Sequence, residues 1–414
     1  MSPGLAQMTG SLRVRNYRLF ASGQIVSLTG TWMQTVAQDW LVLDLSDNSP
    51  AALSIVVALQ FAPILFLGLY SGVLADRFDK RHLLIAVQCT MAVIALVMGL
   101  LVLSGAAQLW HVYVLALLLG TANAVDTPVR QAFVSELVGP DLLPNAVALN
   151  SATFNSARIV GPAVGGLVIA WLGVGPAFLL NAVSYLAVLA GLRRMDPAAL
   201  VRGDRVARAR GQVREGLRYV WGRPDLMMAI VLMGVVGTIG MNFHLTLPLL
   251  ARTEFKVGPE AFGLLWTAFA AGALAGAVVG TRRRTRPPAS ALLGFAAAFG
   301  AMELAVAFAP TFAVAAVLLV PTGAFLIGHN NAANARVQLG ADPVLRGRVM
   351  SLYMLVFLGG ATVGSLVVGA ISEAFGVRAA LGVGGVSVLV AAVVLASLRA
   401  WWHARRPAAE LVGH

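Results

Sequence analysis

Cysteine is almost missing from this chain of 414 residues: Cys89 stands alone, which excludes an internal disulfide framework. Charge is scarce as well. Only 12% of the residues are charged, with 18 acids against 30 bases, while 58% are hydrophobic. An ordinary soluble domain carries about 25% charged residues, so a surface facing water throughout is excluded. Lysine is limited to Lys80 and Lys256; we read the arginine bias as GC-rich coding rather than mechanism. No Gly-x-x-x-x-Gly-Lys-Ser/Thr run is present, so no ATP-driven cycle is encoded. One cysteine and six scattered histidines make no recognisable metal site, and no nucleophile is paired with a base. Neither an enzyme nor a bound cofactor is expected. The short, polar start with Arg13 and Arg15 has no early apolar core, so no cleavable signal peptide is expected.

What is present is apolar sequence in blocks. Mean hydropathy is +0.81, and a membrane-crossing helix needs roughly 20 apolar residues. Runs of that kind fall at 17–43, 50–75, 82–104, 111–135, 145–172 and 176–195, then at 225–250, 260–281, 289–309, 312–337, 348–374 and 377–400. The expected fold is an all-α membrane protein of twelve transmembrane helices in two six-helix bundles. Of the 30 basic residues, 26 fall at loops on one side, three (Arg252, Lys256, Arg378) on the other, and Arg158 within a span. Positive charge collects on the cytoplasmic side, so both termini are expected there, in a bacterial inner membrane. Topology accounts for the net charge of +12 without nucleic acid.

Residues 196–224 form the only long polar interval. Arg202, Arg205, Arg208, Arg210 and Arg214 crowd it, and Val213, Leu217, Val220 and Trp221 then recur at helical spacing. This pattern predicts a basic amphipathic helix lying on an anionic leaflet. The expected domains are 1–195, a linker at 196–224, and 225–414. The halves repeat one another: Gly161-Pro-Ala-Val-Gly165-Gly-Leu-Val parallels Gly360-Ala-Thr-Val-Gly364-Ser-Leu-Val, and Gly68 with Gly72 parallels Gly276 with Gly280. Two similar halves entering from the same side make a parallel repeat and imply a central cavity with alternating access.

After the second run comes Gly72-Val-Leu-Ala-Asp76-Arg77-Phe-Asp79-Lys80-Arg81. Its glycine allows close helix packing, its acid can neutralise a helix N-terminus, and its cations hold the loop to the cytoplasmic face. It resembles the loop signature of the major facilitator superfamily, except that Asp79 replaces the usual glycine. The resemblance implies that Asp76 latches the two halves together, assisted by Asp126 with Arg130 one turn on. Gly161-Pro162-Ala-Val-Gly165-Gly166 is similar to the core of the antiporter motif of drug and proton exchangers in that superfamily. Ala157 and Ala148 stand where two further glycines of that motif would be. Three stretches, Trp32 to Val42, Asp126 to Phe133 and Arg214 to Trp221, are similar to the branch with the enterobactin exporter and macrolide efflux proteins. That branch implies export of bulky amphiphiles.

Polar groups inside spans need partners or a wet cavity, since each ionisable one costs roughly 2.5–3.5 kcal/mol on insertion scales. Gln24, Ser27, Thr31, Gln34 and Gln38 recur at spacings of three and four, a single stripe with Asp39 on its flank. Ser151, Asn155 and Arg158 share a face with Pro162. Arg158 requires a partner, and Asp39 and Glu303 are the nearest acids by depth. Asp39 is expected to take up and release a coupling proton with Arg158 as modulator, because burial favours the neutral acid and an adjacent arginine the carboxylate. Glu303 is a second candidate. His244, His329, Asn330, Asn331 and Asn334 are candidate substrate contacts, and Trp32, Trp40, Phe243, Trp266 and Phe269 candidate aromatic walls. Trp40 and Trp266 equally suit interfacial anchors. The reading is a monomeric secondary transporter exchanging protons for small amphipathic molecules. A facilitator or importer, a lipid transporter, and a transport-like membrane sensor are the alternatives.

Overall fold

A computed structural model of the chain describes residues 10–201, 212–281, 286–342 and 345–404. Within these, the side chains of 68–76, 212–216, 279–281 and 402–404 are not described. Several sequence features lie outside the described residues: Arg202, Arg205, Arg208 and Arg210, Arg282 to Arg284, Arg405 and Arg406. So do the side chains of Asp76 and Arg214 and the surroundings of Gly68, Gly72 and Gly280.

Helices joined by short connections make up the described chain, and no strand occurs among the described residues. The helices are α1 (Arg15–Leu45), α2 (Pro50–Arg77), α3 (Lys80–Leu103), α4 (109–138), α5 (140–172) and α6 (Val174–Arg194). There follow the short α7 (Gln212–Trp221), α8 (Pro224–Glu254), α9 (Pro259–Thr281), α10 (Ala289–Ala307), α11 (Phe312–Gly340), α12 (Arg346–Phe375) and α13 (Val377–Ala404). Ten helices among the described residues are long and apolar enough to cross a membrane. One of the ten, Leu109–Leu172, is 64 residues long, about 96 Å at 1.5 Å per residue, and is two spans. A further one, α1, has 31 residues but carries the polar stripe that lowers its hydropathy. Twelve spans result.

The α4–α5 junction departs from the sequence reading, which places a polar break over 136–144. The helix instead resumes at once. Gly139 alone leaves the helical region, at φ 71° and ψ 176°, a backbone that only glycine adopts without strain. Pro140 then stands at the first position of α5, where its missing N–H is no loss. The turn in α8 was also hidden. Val236–Gly240 and Leu250–Glu254 form π-turns, which are common where a helix is locally opened.

Two compact units form. One comprises residues 1–208 and 243–270, the other 209–242 and 271–414. Residues 243–270, grouped by sequence with the second half, thus pack with the first unit. In that unit, α1 lies against α6 and α5. A Cβ on Gly23 would meet Val188 Cα at 2.8 Å, and one on Gly161 would meet Trp32 Cβ at 2.5 Å. In the second unit, Gly360 and Gly364 of α12 abut Thr238 of α8 in the same way. The repeated glycines of spans five and eleven therefore make the same helix contact in each unit, span five on span one and span eleven on span seven.

The sequence reading's amphipathic helix is α7. Its Val220 is buried, whereas Leu217 and Trp221 are exposed, Trp221 by 76%. Arg223 beyond it donates to Tyr219 Oη at 3.1 Å.

Candidate functional site

The first unit encloses a cavity of about 260 Å³. Gln24, Ser27, Thr31, Gln34 and Gln38 all line it along one side of α1, as a period of three and four residues places them on one helix face. Trp32 of the same helix, Phe61 and Phe154 also line it, and His244 reaches it from α8. The amides are held in place. Asn181 Nδ2 donates to Gln34 Oε1 at 2.5 Å, Thr31 Oγ1 and Tyr185 Oη are 3.3 Å apart, while Gln38 Nε2 has no partner.

Asp126 and Arg130 form the charged corner of the cavity. Arg130 Nη2 lies 3.1 Å from Asp126 Oδ2, Gln88 Nε2 donates to Asp126 Oδ1 at 2.8 Å, and Arg130 Nη1 donates to Gln24 Oε1 at 3.1 Å. Asp126 is buried. The helical repeat puts acid and base one turn apart, and burial makes the pair a network rather than a surface bridge. Gln60, Gln88, Asn123, Thr127 and Tyr185 also line the cavity and escaped the sequence reading. Gln60 and Gln88 stand alone in α2 and α3 and form no stripe, whereas Asn123 and Thr127 share a face of α4 with Asp126 and Arg130, and Tyr185 follows Asn181 by one turn of α6, spacings that could have found them.

Aromatic rings extend from the cavity wall. His244 lies 4.6 Å from Trp266 and 6.3 Å, nearly parallel, from Trp32; Phe243 lies 4.5 Å from Phe269. Of the predicted aromatic walls only Trp32 lines the cavity itself. Trp40 and Trp266 are not interfacial anchors, for both are buried. Trp40 is stacked on Phe262 at 6.0 Å, and Arg252, paired with Asp44 at 2.5 Å, covers its ring at 4.7 Å.

Asp39 is only 3% exposed, and among the described residues its Oδ2 has no hydrogen-bond partner. The acid partner expected for Arg158 is not found: no carboxylate pairs with it among the described residues. Its guanidinium instead stands 5.7 Å from the Phe269 ring centre, a cation–π contact that serves a cation away from water. Asn155 turns back to its own helix, donating to Ser151 O at 2.8 Å.

In the second unit Glu303 is 2% exposed, with Oε2 unpartnered among the described residues. It is pressed against backbone, since a Cβ on Gly384 would lie 2.6 Å from its Oε1. His329 is fully buried. Asn330 Nδ2 points to Met241 Sδ at 3.9 Å, Asn331 is exposed and Asn334 is half-buried.

The loop after α2 is held by its cations. Lys80 Nζ lies 2.6 Å from Glu136, and Arg81 donates to Leu192 O at 2.7 Å and Arg193 O at 3.1 Å, while Arg77 is exposed. Asp79 explains its own replacement of glycine. Its backbone is extended, at φ −62° and ψ 118°, and its carboxylate accepts the His82 N–H at 3.1 Å, so no positive φ is needed and the acid caps α3. Asp79→Ala is expected to destabilise by about 1 kcal/mol and Asp79→Gly by a few tenths, read as thermal midpoints of the detergent-purified protein.

The antiporter-like motif is a packing surface. Gly161 and Gly165 face α1, and a Cβ on Gly166 would lie 2.5 Å from Pro259 O and 2.9 Å from Glu260 Cα of α9. Gly263 returns the contact onto Pro162 O.

A family model described as transmembrane secretion effector matches residues 7–407. The staphyloferrin A transporter of Staphylococcus aureus is 25% identical over 388 residues, 91% of this chain and 94% of its own. The multidrug efflux pump Tap of Mycobacterium tuberculosis is 26% identical over 385 residues, 87% of each. Among solved structures, an inward-facing bacterial homolog of the human lysosomal transporter Spinster superposes with a TM-score of 0.70 at 16% identity, covering 94% of this chain and 96% of that one. That likeness speaks for the fold alone. The chain is a member of the transmembrane secretion effector family within the major facilitator superfamily, a multi-pass membrane transporter of small molecules with efflux pumps among its relatives.

Proposed function

We propose that the protein exports amphipathic small molecules, such as drugs or siderophores, in exchange for protons, working as a monomer by alternating access. The cavity of the first unit carries this reading. It brings the amide and hydroxyl groups of α1 together with the rings of Trp32, Phe61 and Phe154 in one lining, suited to a molecule with polar and apolar parts. At about 260 Å³ it is just below the roughly 300–1,000 Å³ of ligand pockets, so it takes part of a bulky amphiphile. The efflux pump among the relatives favours export over import.

Asp39 is the proposed proton carrier. It follows Gln38 of the stripe, is buried, and has a carboxylate oxygen with no hydrogen-bond partner among the described residues, which leaves that oxygen able to take up a proton. Glu303 is the second candidate, in the other unit. Arg158 is dropped as the partner of Asp39, since it serves Phe269 instead. The latch role of Asp76 and Asp126 remains part of the proposal; Asp126 would be released when Arg130 and Gln88 exchange partners. The excess of arginine at one set of loops supports termini on the cytoplasmic side, in a bacterial inner membrane. A C-terminal fluorescent-protein fusion should fluoresce and a C-terminal alkaline phosphatase fusion should be inactive; the reverse pattern contradicts this orientation.

The test of transport is accumulation of several fluorescent amphiphiles in cells expressing the wild type or Asp39→Asn, with and without a protonophore. Low accumulation in wild type, restored by either treatment, is the expected result. Export that ignores the protonophore contradicts proton coupling, and normal export by Asp39→Asn removes Asp39 from the mechanism.

A further inference from the structure

The second unit carries a groove of about 800 Å³ that no part of the transport reading uses. Arg223, Arg286, Arg336 and Arg399 line it, facing a single acid, Asp225. That acid is already shared. Arg223 donates to it through Nε at 3.1 Å and Nη2 at 3.2 Å, and Arg286 Nη2 does so at 2.6 Å. Arg336 is a different case, being only 6% exposed. Its Nη1 donates to Pro287 O at 2.6 Å, yet among the described residues its Nε has no hydrogen-bond partner. Among the described residues no carboxylate pairs with Arg336 or with Arg399. A buried guanidinium with an unused N–H is costly unless something satisfies it, and four arginines around one acid leave the groove strongly cationic.

The remaining wall is apolar. Val231, Leu395, Leu398 and Trp401 line it, and Val231, Leu398 and Trp401 stay exposed at 42%, 56% and 53%. They belong to α8 and α13, both membrane-crossing by length and composition, and Trp401 at the end of α13 has the position of an interfacial ring. Arginines at the mouth of a groove whose wall continues as exposed aliphatic side chains fit one kind of molecule: an anionic head joined to a hydrocarbon tail. A small inorganic anion would use the arginines and leave the apolar wall without purpose.

We propose that this groove binds an anionic phospholipid, its phosphate held by Arg336 and Arg399 and an acyl chain laid along Val231, Leu395 and Leu398. Guanidinium suits the task because its planar fork can give two parallel hydrogen bonds to phosphate oxygens, and basic pockets between membrane helices are known to take such heads. Asp225 keeps Arg223 and Arg286 in place without neutralising the site. The inference does not depend on what the protein transports or in which direction.

The test is native mass spectrometry of the full chain purified in mild detergent and titrated with dioleoyl phosphatidylglycerol or dioleoyl phosphatidylcholine, which share their chains. Phosphatidylglycerol should be retained preferentially, and Arg399→Gln should lower that retention about tenfold, the loss expected for one charge-assisted hydrogen bond. Arg336→Gln should do the same. Arg399→Gln leaves the Pro287 bond intact, so it carries the test if Arg336→Gln misfolds. Equal retention of the two lipids, or retention unchanged by Arg399→Gln, overturns the proposal. So does displacement of phosphatidylglycerol by an equal concentration of inorganic phosphate, which would mark a site for a free anion.

Discussion

Arg130→Ala is expected to destabilise the protein by about 3 kcal/mol, the low end of the 3–5 kcal/mol seen when one partner of a buried ion pair is removed. The reason lies with what stays behind. Asp126 is buried and its two oxygens are divided between Arg130 and Gln88. Without the guanidinium, one oxygen loses its only cation, and Gln24 Oε1 loses a donor. The low end applies because the Arg130 side chain keeps 17% of its surface exposed, so water can partly replace it. Asp126→Asn/Arg130→Ala should recover most of the loss, since the orphaned charge is gone. Thermal midpoints of the purified proteins in detergent read the difference. Equal losses in the single and double variants would mean that the pair contributes nothing beyond its separate side chains.

Gly166→Val should be the most damaging change in the glycine motif of α5. A Cβ there would lie 2.5 Å from Pro259 O and 2.9 Å from Glu260 Cα, both backbone atoms of α9 that cannot rotate away. Helix association in a membrane rests on close packing rather than on exclusion of water, so forcing the two helices apart removes the contact that holds them. Overpacking of this kind typically costs about 1–3 kcal/mol, and two added methyl groups beyond Cβ place valine at or above the top of that range. The motif also predicts a gradient. Gly161→Ala meets Trp32 Cβ at 2.5 Å, whereas Gly165→Ala meets Met33 Cα and O only at 3.1 Å, which asks α1 to give by a few tenths of an ångström. Folded yield by fluorescence-detected size exclusion should therefore fall in the order Gly165→Ala, Gly161→Ala, Gly166→Val. A yield for Gly166→Val equal to wild type would show that α5 and α9 do not need this contact.

Periodic features were legible from sequence, and singular ones were not. The stripe from Gln24 to Gln38 stands out because five polar residues share one helix face, and the same five line the cavity. Twelve apolar runs correspond to twelve spans because length and apolarity are set by the bilayer. The α4–α5 corner was misread as a polar break, since Glu136, Pro140, Asp141 and Pro144 look like loop chemistry. One left-handed residue, Gly139, makes the whole turn. The partner of Arg158 could not be read either. A π face leaves no charge in the sequence to pair with, and depth along a helix says nothing about which ring stands opposite. Asp79 looked like a defect in a loop that prefers glycine, until its carboxylate was found capping α3. Gln60 and Gln88 have no periodic partners in their own spans and gain meaning only beside α1, whereas Asn123 shares a helix face with Asp126, Thr127 and Arg130.

A proton gradient is proposed to drive export, and reconstitution isolates that step from the cell. Purified protein would be placed in liposomes with an imposed pH gradient and a fluorescent amphiphile transported by the wild type in cells. The account predicts substrate movement against its own gradient when protons flow the other way, collapse on adding a protonophore, and its absence in Asp39→Asn with the folded yield unchanged. Equal substrate movement with and without the pH gradient would contradict the account and leave a facilitator of the same fold.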